Sequence, residues 1–305
     1  MYPAAILMIA TFLAATGALG QNSSVQCTEG LKMFVSRGTG EPMGLGATEA
    51  LVDIIAEQIN GSDIEAINFP ATMEDPLYFT SVANGTILVK QTITSYAMAC
   101  PGSKMAVFGY SQVRTRANLA AIIKADSMTQ GAQITSNTLC GTPPIWGTFA
   151  VASGSIPDIL AFAQPLPVNI TKDVISVVLF GDPTHRSDAS YNHGNSTGSG
   201  MFWRHDFSAC EALGSRIRSY CDSGDPFCSV GPEANALTHV TYLDRYSTDV
   251  AQFVVDQYHN GSASNGSGIN TPSPPTAPVT VSESGRHSAM PILVVTTALL
   301  VLGLI

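Results

Sequence analysis

A short apolar stretch followed by a glycine and a serine constrains this sequence more than any other feature. Met105–Phe108 has the composition of a buried strand, and Gly109–Gln112 follows it directly. In a nucleophile elbow, a strand of a parallel sheet ends in a sharp turn that lifts a serine hydroxyl above the sheet. The motif is G-x-S-x-G, because the turn crowds the backbone on both sides of the serine. Here Ser111 has the first glycine, but Val113 stands where the second is expected.

Apolar stretches of two kinds alternate along the chain. Five are predicted as strands: Leu31–Ser36, Ile64–Phe69, Met105–Phe108, Val174–Phe180 and Ile217–Tyr220. Three others have apolar residues in helical spacing: Thr48–Asn60, Tyr78–Ala99 and Asp244–His259. Strands that alternate with helices form a parallel sheet with helices on both faces. The sequence therefore predicts an α/β fold, a three-layer sandwich around a central five-stranded parallel sheet.

Both ends of the chain have the composition of processing signals. An apolar core before the small residues Ala18-Leu19-Gly20 predicts a secretory signal over residues 1–20. Residues 260–288 are a Ser/Gly/Pro-rich linker, which cannot bury enough apolar surface to fold. The uncharged tail, residues 289–305, is typical of a GPI-anchor signal, and a simple peptide tail anchor is the alternative. We therefore expect an extracellular protein, held at the outer cell surface by a lipid, with its folded domain over residues 21–259.

Composition supports export and excludes some partners. Seven N-x-[ST] sequons begin at Asn22, Asn60, Asn84, Asn169, Asn195, Asn260 and Asn265. Six cysteines, an even number, indicate disulfides in an exported chain. The formal net charge of -9 argues against a nucleic-acid partner, because a phosphate-binding surface needs excess lysine and arginine.

A cluster of histidines raises the question of a metal site. His185, His193 and His205 lie near Asp188 and Asp206. Their spacings match no helix face and no zinc pattern, so a solvated polar loop is the better interpretation. We expect no metal and no cofactor.

An elbow serine needs a carboxylate and then a histidine further along the chain. Asp225 lies in a loop between two cysteines, and His239 follows it. A disulfide across that loop would hold rigid a carboxylate that orients an imidazole. Spacing alone leaves open that Asp225 belongs to a turn and that His239 is a surface histidine. Asp182 also follows a strand, but Pro183 behind it favours a turn role.

Several short motifs together carry a family resemblance. In order they are Arg37-Gly38-Thr39, Cys100-Pro101, Gly109-Tyr110-Ser111-Gln112, Phe180-Gly181-Asp182-Pro183, Tyr220-Cys221-Asp222, Asp225-Pro226-Phe227-Cys228 and His239. In these motifs the chain from Cys27 to about His259 resembles the cutinase and acetylxylan esterase family of serine esterases. The resemblance implies a flavodoxin-like α/β-hydrolase sandwich. It implies Ser111 as nucleophile, His239 as general base and acid, and Asp225 as the orienting carboxylate.

The same resemblance implies further parts of the site and the disulfide pattern. The backbone N–H groups of Thr39 and Gln112 would form the oxyanion hole. The disulfides would be Cys27–Cys100, Cys221–Cys228 and Cys140–Cys210.

The sequence leaves the family pattern after Gln112 and returns to it at Gly131. Members of the family continue from Gly-Tyr-Ser-Gln directly into the sequence found here from Gly131 onward. Removing the eighteen residues 113–130 restores G-x-S-x-G. Valine codons begin with GT, and Gln130 has a codon ending in AG, so the boundaries permit an in-frame intron. We interpret residues 113–130 as a retained intron. A genuine insertion is the alternative, and it would make activity of the chain as written doubtful.

The residue beside the expected acid bears on the substrate. Acetylxylan esterases tend to carry a bulky aromatic residue at the position of Phe227, and cutinases a smaller aliphatic one. A ring in the acyl pocket would admit acetyl groups and exclude long chains. We therefore expect a monomeric enzyme that hydrolyses acetyl esters of a plant cell-wall polymer, with cutinase or short-chain lipid esterase as the nearest alternative. A non-catalytic, surface-anchored wall protein on an esterase fold is the alternative of a different class.

Overall fold

The computed structural model describes residues 25–111, 130–142 and 164–263. The chain divides into two units, Met1–Gly266 and Ser267–Ile305, and all described residues belong to the first. The strands are β1 (Lys32–Ser36), β2 (Asp63–Ala66), β3 (Met105–Tyr110), β4 (Val174–Phe180), β5 (Asn192–His193) and β6 (Ile217–Tyr220). The helices are α1 (Glu49–Gln58), α2 (Tyr78–Ala99), α3 (Gly131–Cys140), α4 (Val168–Thr171), α5 (Ser208–Glu211), α6 (Ala236–Val240) and α7 (Tyr242–Ala263).

The six strands form one parallel sheet in the order β2-β1-β3-β4-β6-β5. All five strands predicted from apolar stretches are present. The sheet has one strand more than predicted, because β5 adds Asn192 and His193 beside β6. A two-residue strand is too short to produce a hydrophobic period, so no sequence pattern could have indicated it.

Side chains of the central strands alternate between the two faces of the sheet, as the pleat requires. Met105 and Val107 of β3 join one core, which contains residues of α2 and α3. Ala106 and Phe108 join the other core, which contains residues of α1 and α7. Helices therefore cover both faces, and the predicted three-layer arrangement is confirmed.

Three disulfides close the domain: Cys27–Cys100, Cys140–Cys210 and Cys221–Cys228. These are the pairs that the family resemblance implies. The first two close loops with sequence separations of 73 and 70, and each constrains the unfolded chain by about 4 kcal/mol in the chain-entropy estimate. Such bonds persist in oxidising compartments, so this is a protein of the extracellular type.

Several predicted segments lie outside the described residues. These are the signal (residues 1–20), residues 113–129 of the surplus segment, the linker beyond residue 263, and the apolar tail (residues 289–305). Within the part of the chain that is described, no helix has both the length and the apolar character needed to cross a membrane.

Candidate active site

The order of the strands places a crevice at the carboxyl edge of the sheet. Strand β1 lies between β2 and β3, so the connections that leave β1 and β3 run to opposite faces. Ligands of open parallel sheets bind at this kind of switch point, outside the carboxyl ends of the strands. Ser111 follows β3 here, and its N–H donates to the carbonyl of Phe180 at the end of β4 (3.1 Å). The Ser111 side chain is buried, and its Oγ has no hydrogen-bond partner among the described residues.

Two glycines pack against each other beneath Ser111. A Cβ built on Gly109 would lie 2.5 Å from the carbonyl oxygen of Gly131 and 2.7 Å from Oγ1 of Thr135. A Cβ on Gly131 would collide with the carbonyl oxygens of Ser36 and Tyr110. Neither position has room for a side chain, and this is why the G-x-S-x-G motif needs glycine at both places. Gly131 therefore occupies the place of the second glycine, although Val113 holds that position in the sequence.

Gln130 precedes this glycine and is the N-cap residue of α3. Its carbonyl accepts from the N–H of Ile134 (2.9 Å), and its side-chain amide donates to the carbonyl of Thr72. Gln112, which the resemblance places in the oxyanion hole, lies outside the described residues.

The loop after β1 is held from beneath by two buried charged residues. The Arg37 guanidinium donates to the carbonyls of Glu41 (3.0 Å) and Phe69 (2.8 Å), among others. The Glu41 carboxylate accepts from the N–H groups of Gly38 (2.7 Å) and Ala47 (2.9 Å). Burial lowers the pKa of Arg37 and the charge of Glu41 opposes that shift, so the two residues form a compensated pair. No sequence pattern indicated the role of Glu41, which follows Arg37-Gly38-Thr39 by two residues.

Thr39 stands at the tip of this loop. It is buried, and neither its N–H nor its Oγ1 donates to any residue of the described ranges. A fixed, unpaired backbone donor beside the crevice is what an oxyanion hole requires.

Asp225 and His239 meet at the same edge of the sheet. Oδ2 of Asp225 lies 2.7 Å from Nδ1 of His239, and both side chains are buried. Oδ1 of Asp225 accepts from the N–H groups of Phe227 (2.8 Å) and Cys228 (3.2 Å) inside the disulfide loop. The spacing in the sequence left open whether these residues pair or are a turn aspartate and a surface histidine. The structure supports the pair. Nε2 of His239 has no partner among the described residues.

Tyr242 adds a contact that no sequence pattern indicated. Its hydroxyl donates to Oδ2 of Asp225 (2.7 Å), the same oxygen that meets His239. Burial opposes ionisation of Asp225, but the charge of His239 and the hydrogen bonds from His239, Tyr242 and Phe227 outweigh it. The pKa of Asp225 therefore lies below its usual value, and the carboxylate is ionised at neutral pH.

Two further residues confine the imidazole. A Cβ on Gly181 would lie 2.5 Å from Cε1 of His239 and 3.3 Å from Oδ2 of Asp225, so the backbone passes directly beside the pair. On another side, the Phe227 ring lies with its centroid 4.5 Å from that of His239. The His239 ring is thus fixed by packing as well as by its hydrogen bond.

The remaining candidates take structural positions. Oδ1 of Asp182 accepts from the N–H (2.9 Å) and Oγ1 (2.8 Å) of Thr184, which is the turn role predicted for it. His185, His193 and His205 do not converge, and no group of three or more potential ligands is found in the described part of the chain. His185 is buried, and neither of its ring nitrogens has a partner there.

Comparison with known proteins identifies the family. The family model described as Cutinase matches residues 26–125 and 122–258, in two segments that meet within the surplus. The acetylxylan esterase of Hypocrea jecorina is 29% identical over 290 residues, 92% of this chain and 85% of that protein. Cutinase 11 of Verticillium dahliae is 29% identical over 270 residues, 86% of this chain and 79% of that protein.

Solved structures give the same result. The catalytic core domain of acetyl xylan esterase from Trichoderma reesei aligns at 26% identity with a TM-score of 0.58, covering 76% of this chain and 100% of that one. The fold, the order of the motifs and the family match agree over most of the chain. The chain is therefore an ester hydrolase of the cutinase family.

Proposed function

We propose that this hydrolase works through a Ser-His-Asp triad. Ser111 attacks the ester carbonyl while His239 takes its proton and passes it to the leaving alcohol, and Asp225 orients the imidazole. A water deprotonated by His239 then attacks the acyl-serine, and the proton returns to Ser111 as the acid is released. The observation that carries the proposal is the 2.7 Å contact between Asp225 and Nδ1 of His239. That contact leaves Nε2, which has no partner among the described residues, as the atom that accepts the serine proton.

Negative charge on the reacting carbonyl oxygen needs donors that are already in place. Thr39 supplies one N–H from the loop held by Arg37 and Glu41. The residue after Ser111 supplies the second, which is Gln112 in the numbering of this chain.

The substrate we propose is an acetyl ester on a plant cell-wall polysaccharide. Phe227 supports this choice, because its buried ring lies against His239, where it would limit the space for the acyl chain. Both an acetylxylan esterase and a cutinase are among the relatives, so cutinase is the second candidate. The test is the ratio of kcat/KM for p-nitrophenyl acetate to that for the octanoate. A ratio well above one is expected. Preference for octanoate would favour cutinase, and hydrolysis that survives Ser111→Ala would remove the proposed nucleophile.

We also propose that residues 113–130 are absent from the active enzyme. Gly131 already packs at the second glycine position of the elbow, and the family match is split into two segments that overlap at residues 122–125, inside the surplus. A chain lacking residues 113–130 should hydrolyse p-nitrophenyl acetate, whereas the full chain should be nearly inactive. Val113→Gly in the full chain is the matched control, since it restores the motif in sequence only and should not restore activity. Equal activity of the full and shortened chains would contradict the proposal, and a transcript read across Gln112 and Gly131 tests it independently.

Export and lipid anchoring complete the proposed function. The three disulfides support export, whereas the anchor rests on the sequence of the tail alone. The mature monomer should be released from cell membranes by a phosphatidylinositol-specific phospholipase. Detection of the peptide covering residues 289–305 in mature protein would exclude cleavage of the tail.

A further inference from the structure

An exposed tryptophan lies on a segment beside the proposed site and takes no part in the triad. Trp203 is 45% exposed, in contrast to the many aromatic side chains that fill the two cores. A single exposed side chain needs no partner by itself, but an indole offers an apolar ring with a polar N–H at its edge, which suits a ligand that is part apolar and part polar. The chemistry around this ring indicates what that partner is.

The backbone holds Trp203 close to the acid loop. The N–H of Met201 donates to the carbonyl of Phe227 (2.9 Å), and Phe227 itself contacts His239. The N–H of Phe202 donates to the carbonyl of Pro183 (2.8 Å), two residues after Gly181. The segment Gly200–Arg204 therefore runs alongside both loops that confine the imidazole. Trp203 follows Met201 by two residues, in a turn that its own N–H closes by donating to the carbonyl of Gly200 (3.2 Å).

Arg204 fixes the segment from below. Its guanidinium is buried and donates to Oδ1 of Asn137 (2.8 Å), to Oγ1 of Thr184 (3.1 Å) and to the carbonyl of Gly141. These partners lie on α3, at its carboxyl end and on the turn after β4. Arg204, the neighbour of Trp203 in the chain, therefore ties the indole to rigid backbone next to Ser111.

Polar groups surround the exposed ring. The Arg186 guanidinium lies 5.2 Å from the Trp203 centroid and forms a paired hydrogen bond with Asp188 (2.8 and 2.7 Å). Arg186 also donates to the carbonyl of Arg204 (2.9 Å). The exposed His205 ring lies 4.1 Å from Trp203, centroid to centroid. The guanidinium and the imidazole both lie against the ring, and the 45% of Trp203 that stays exposed adjoins the Arg186–Asp188 ion pair.

We propose that the exposed part of Trp203, with Arg186, Asp188 and His205 beside it, is a subsite for a pyranose ring of the polysaccharide that carries the ester. A sugar has an apolar face of C–H groups and a rim of hydroxyls, which complements exposed indole surface with hydrogen-bonding groups beside it. An aliphatic chain would desolvate the Arg186–Asp188 ion pair without offering it any hydrogen bond, which costs free energy. The proposal rests on the proposed function, since it assumes that the ester is attached to a sugar polymer.

Binding can be measured without turnover. The chain has two tryptophans, Trp146 and Trp203, so Trp146→Phe leaves Trp203 as the only indole. Xylohexaose, which has no ester, should change the emission of this full-length variant saturably. In a wild-type background measured by calorimetry, Trp203→Ala should weaken xylohexaose binding about tenfold, and Trp203→Tyr, which keeps an aromatic face, only about threefold. Met201→Ala, an aliphatic change in the same segment, should leave the affinity for xylohexaose as it is.

Steady-state kinetics test whether Trp203 contacts the sugar part of the substrate. In the chain lacking residues 113–130, Trp203→Ala should lower kcat/KM for acetylated xylo-oligosaccharide about tenfold relative to kcat/KM for p-nitrophenyl acetate, mainly by raising KM. The absence of a saturable emission change with millimolar xylohexaose would overturn the proposal. The proposal would also be overturned if tributyrin emulsion changed the Trp203 emission, xylohexaose did not, and Met201→Ala weakened the change. That result would indicate a lipid surface as the ligand. Failure of the proposed function is separate, since p-nitrophenyl acetate would then not be hydrolysed while xylohexaose still bound.

Discussion

Gly109 and Gly131 are distant in the sequence but touch in the structure, with no room for a Cβ on either. The carbonyl of Gly131 would lie 2.5 Å from a Cβ on Gly109, and a Cβ on Gly131 would lie 2.5 Å from the carbonyl of Arg37. The end of β3 and the start of α3 therefore meet as in an uninterrupted elbow. Whatever lies between Ser111 and Gln130, the folded domain places these two elements as if they were joined directly.

This contact predicts the effect of a single methyl group. Gly131→Ala should destabilise the domain by about 1–3 kcal/mol or more, because the colliding atoms are backbone carbonyls that cannot rotate away. Gly231→Ala is the matched control, since a Cβ there meets nothing within 4 Å. Urea denaturation measures both changes. Equal stability of the two variants would mean that α3 does not begin against β3 as described.

A methyl group added at Gly181 should reduce the catalytic activity. A Cβ there would lie 2.5 Å from Cε1 of His239, so Gly181→Ala displaces the imidazole. We expect kcat for p-nitrophenyl acetate to fall about a hundredfold, as for other displacements of about 1 Å in an active site. Gly102→Ala separates crowding from backbone strain, because Gly102 also has a positive φ (83°) but open space around it. A comparable loss of kcat in both variants would attribute the effect to strain.

Tyr242 acts on the triad through Asp225. Removing its hydroxyl in Tyr242→Phe takes away a hydrogen bond to the ionised carboxylate, so the pKa of Asp225 should rise. We expect kcat to fall about threefold to tenfold and the acid limb of the pH–rate profile to move to higher pH. Tyr246→Phe is the control, because that hydroxyl donates to Asp222 instead (2.8 Å). An unchanged acid limb in Tyr242→Phe would show that the contact does not hold the charge of Asp225.

Phe227 should determine the preferred acyl chain. Phe227→Val removes buried ring carbons beside His239 and enlarges the space for the acyl group. The ratio of kcat/KM for octanoate to that for acetate should rise at least tenfold, since each accommodated methylene is worth about 1–3 kcal/mol. Both p-nitrophenyl esters are measured in both proteins. A ratio that does not move would place Phe227 outside the acyl pocket.

Two buried groups should make the stability depend on pH in separate windows. Burial lowers the pKa of His185, partly opposed by Asp182 and Asp225, so the folded protein binds its proton at lower pH than the unfolded chain. Stability should therefore fall as the pH drops below about 6.5, where unfolded histidine becomes protonated. The lowered pKa of Asp225 adds stability that is complete above about pH 4 and is lost as the pH falls further.

Substitution separates the two windows. His185→Phe should reduce the loss of stability below about pH 6.5 and leave the loss below about pH 4. The remainder of the first comes from His193, whose pKa is also lowered by burial and by the charge of Arg218. Urea denaturation at a series of pH values measures the free energy of unfolding for both proteins. An unreduced slope below about pH 6.5 in His185→Phe would show that His185 does not contribute.

Local patterns in the sequence determined much of this protein. Apolar runs and helical spacing placed five strands and the long helix Tyr78–Ala99, because strand and helix periods are properties of neighbouring residues. The order of short motifs identified Asp225 and His239, and the resemblance implied the disulfide pairs found in the structure. The break after Gln112 was also visible in the sequence alone.

Contacts between distant segments were decided only by the tertiary structure. The hydrogen bond from Tyr242 to Asp225, the support of the Thr39 loop by Arg37 and Glu41, and the position of Trp203 beside the acid loop all join separate elements. The residues around a tyrosine at the start of a helix, or around a tryptophan in a loop, do not indicate which distant residue it will contact. Packing brings such groups together because the parallel sheet gathers the carboxyl ends of its strands at one edge, and their loops then share one crevice.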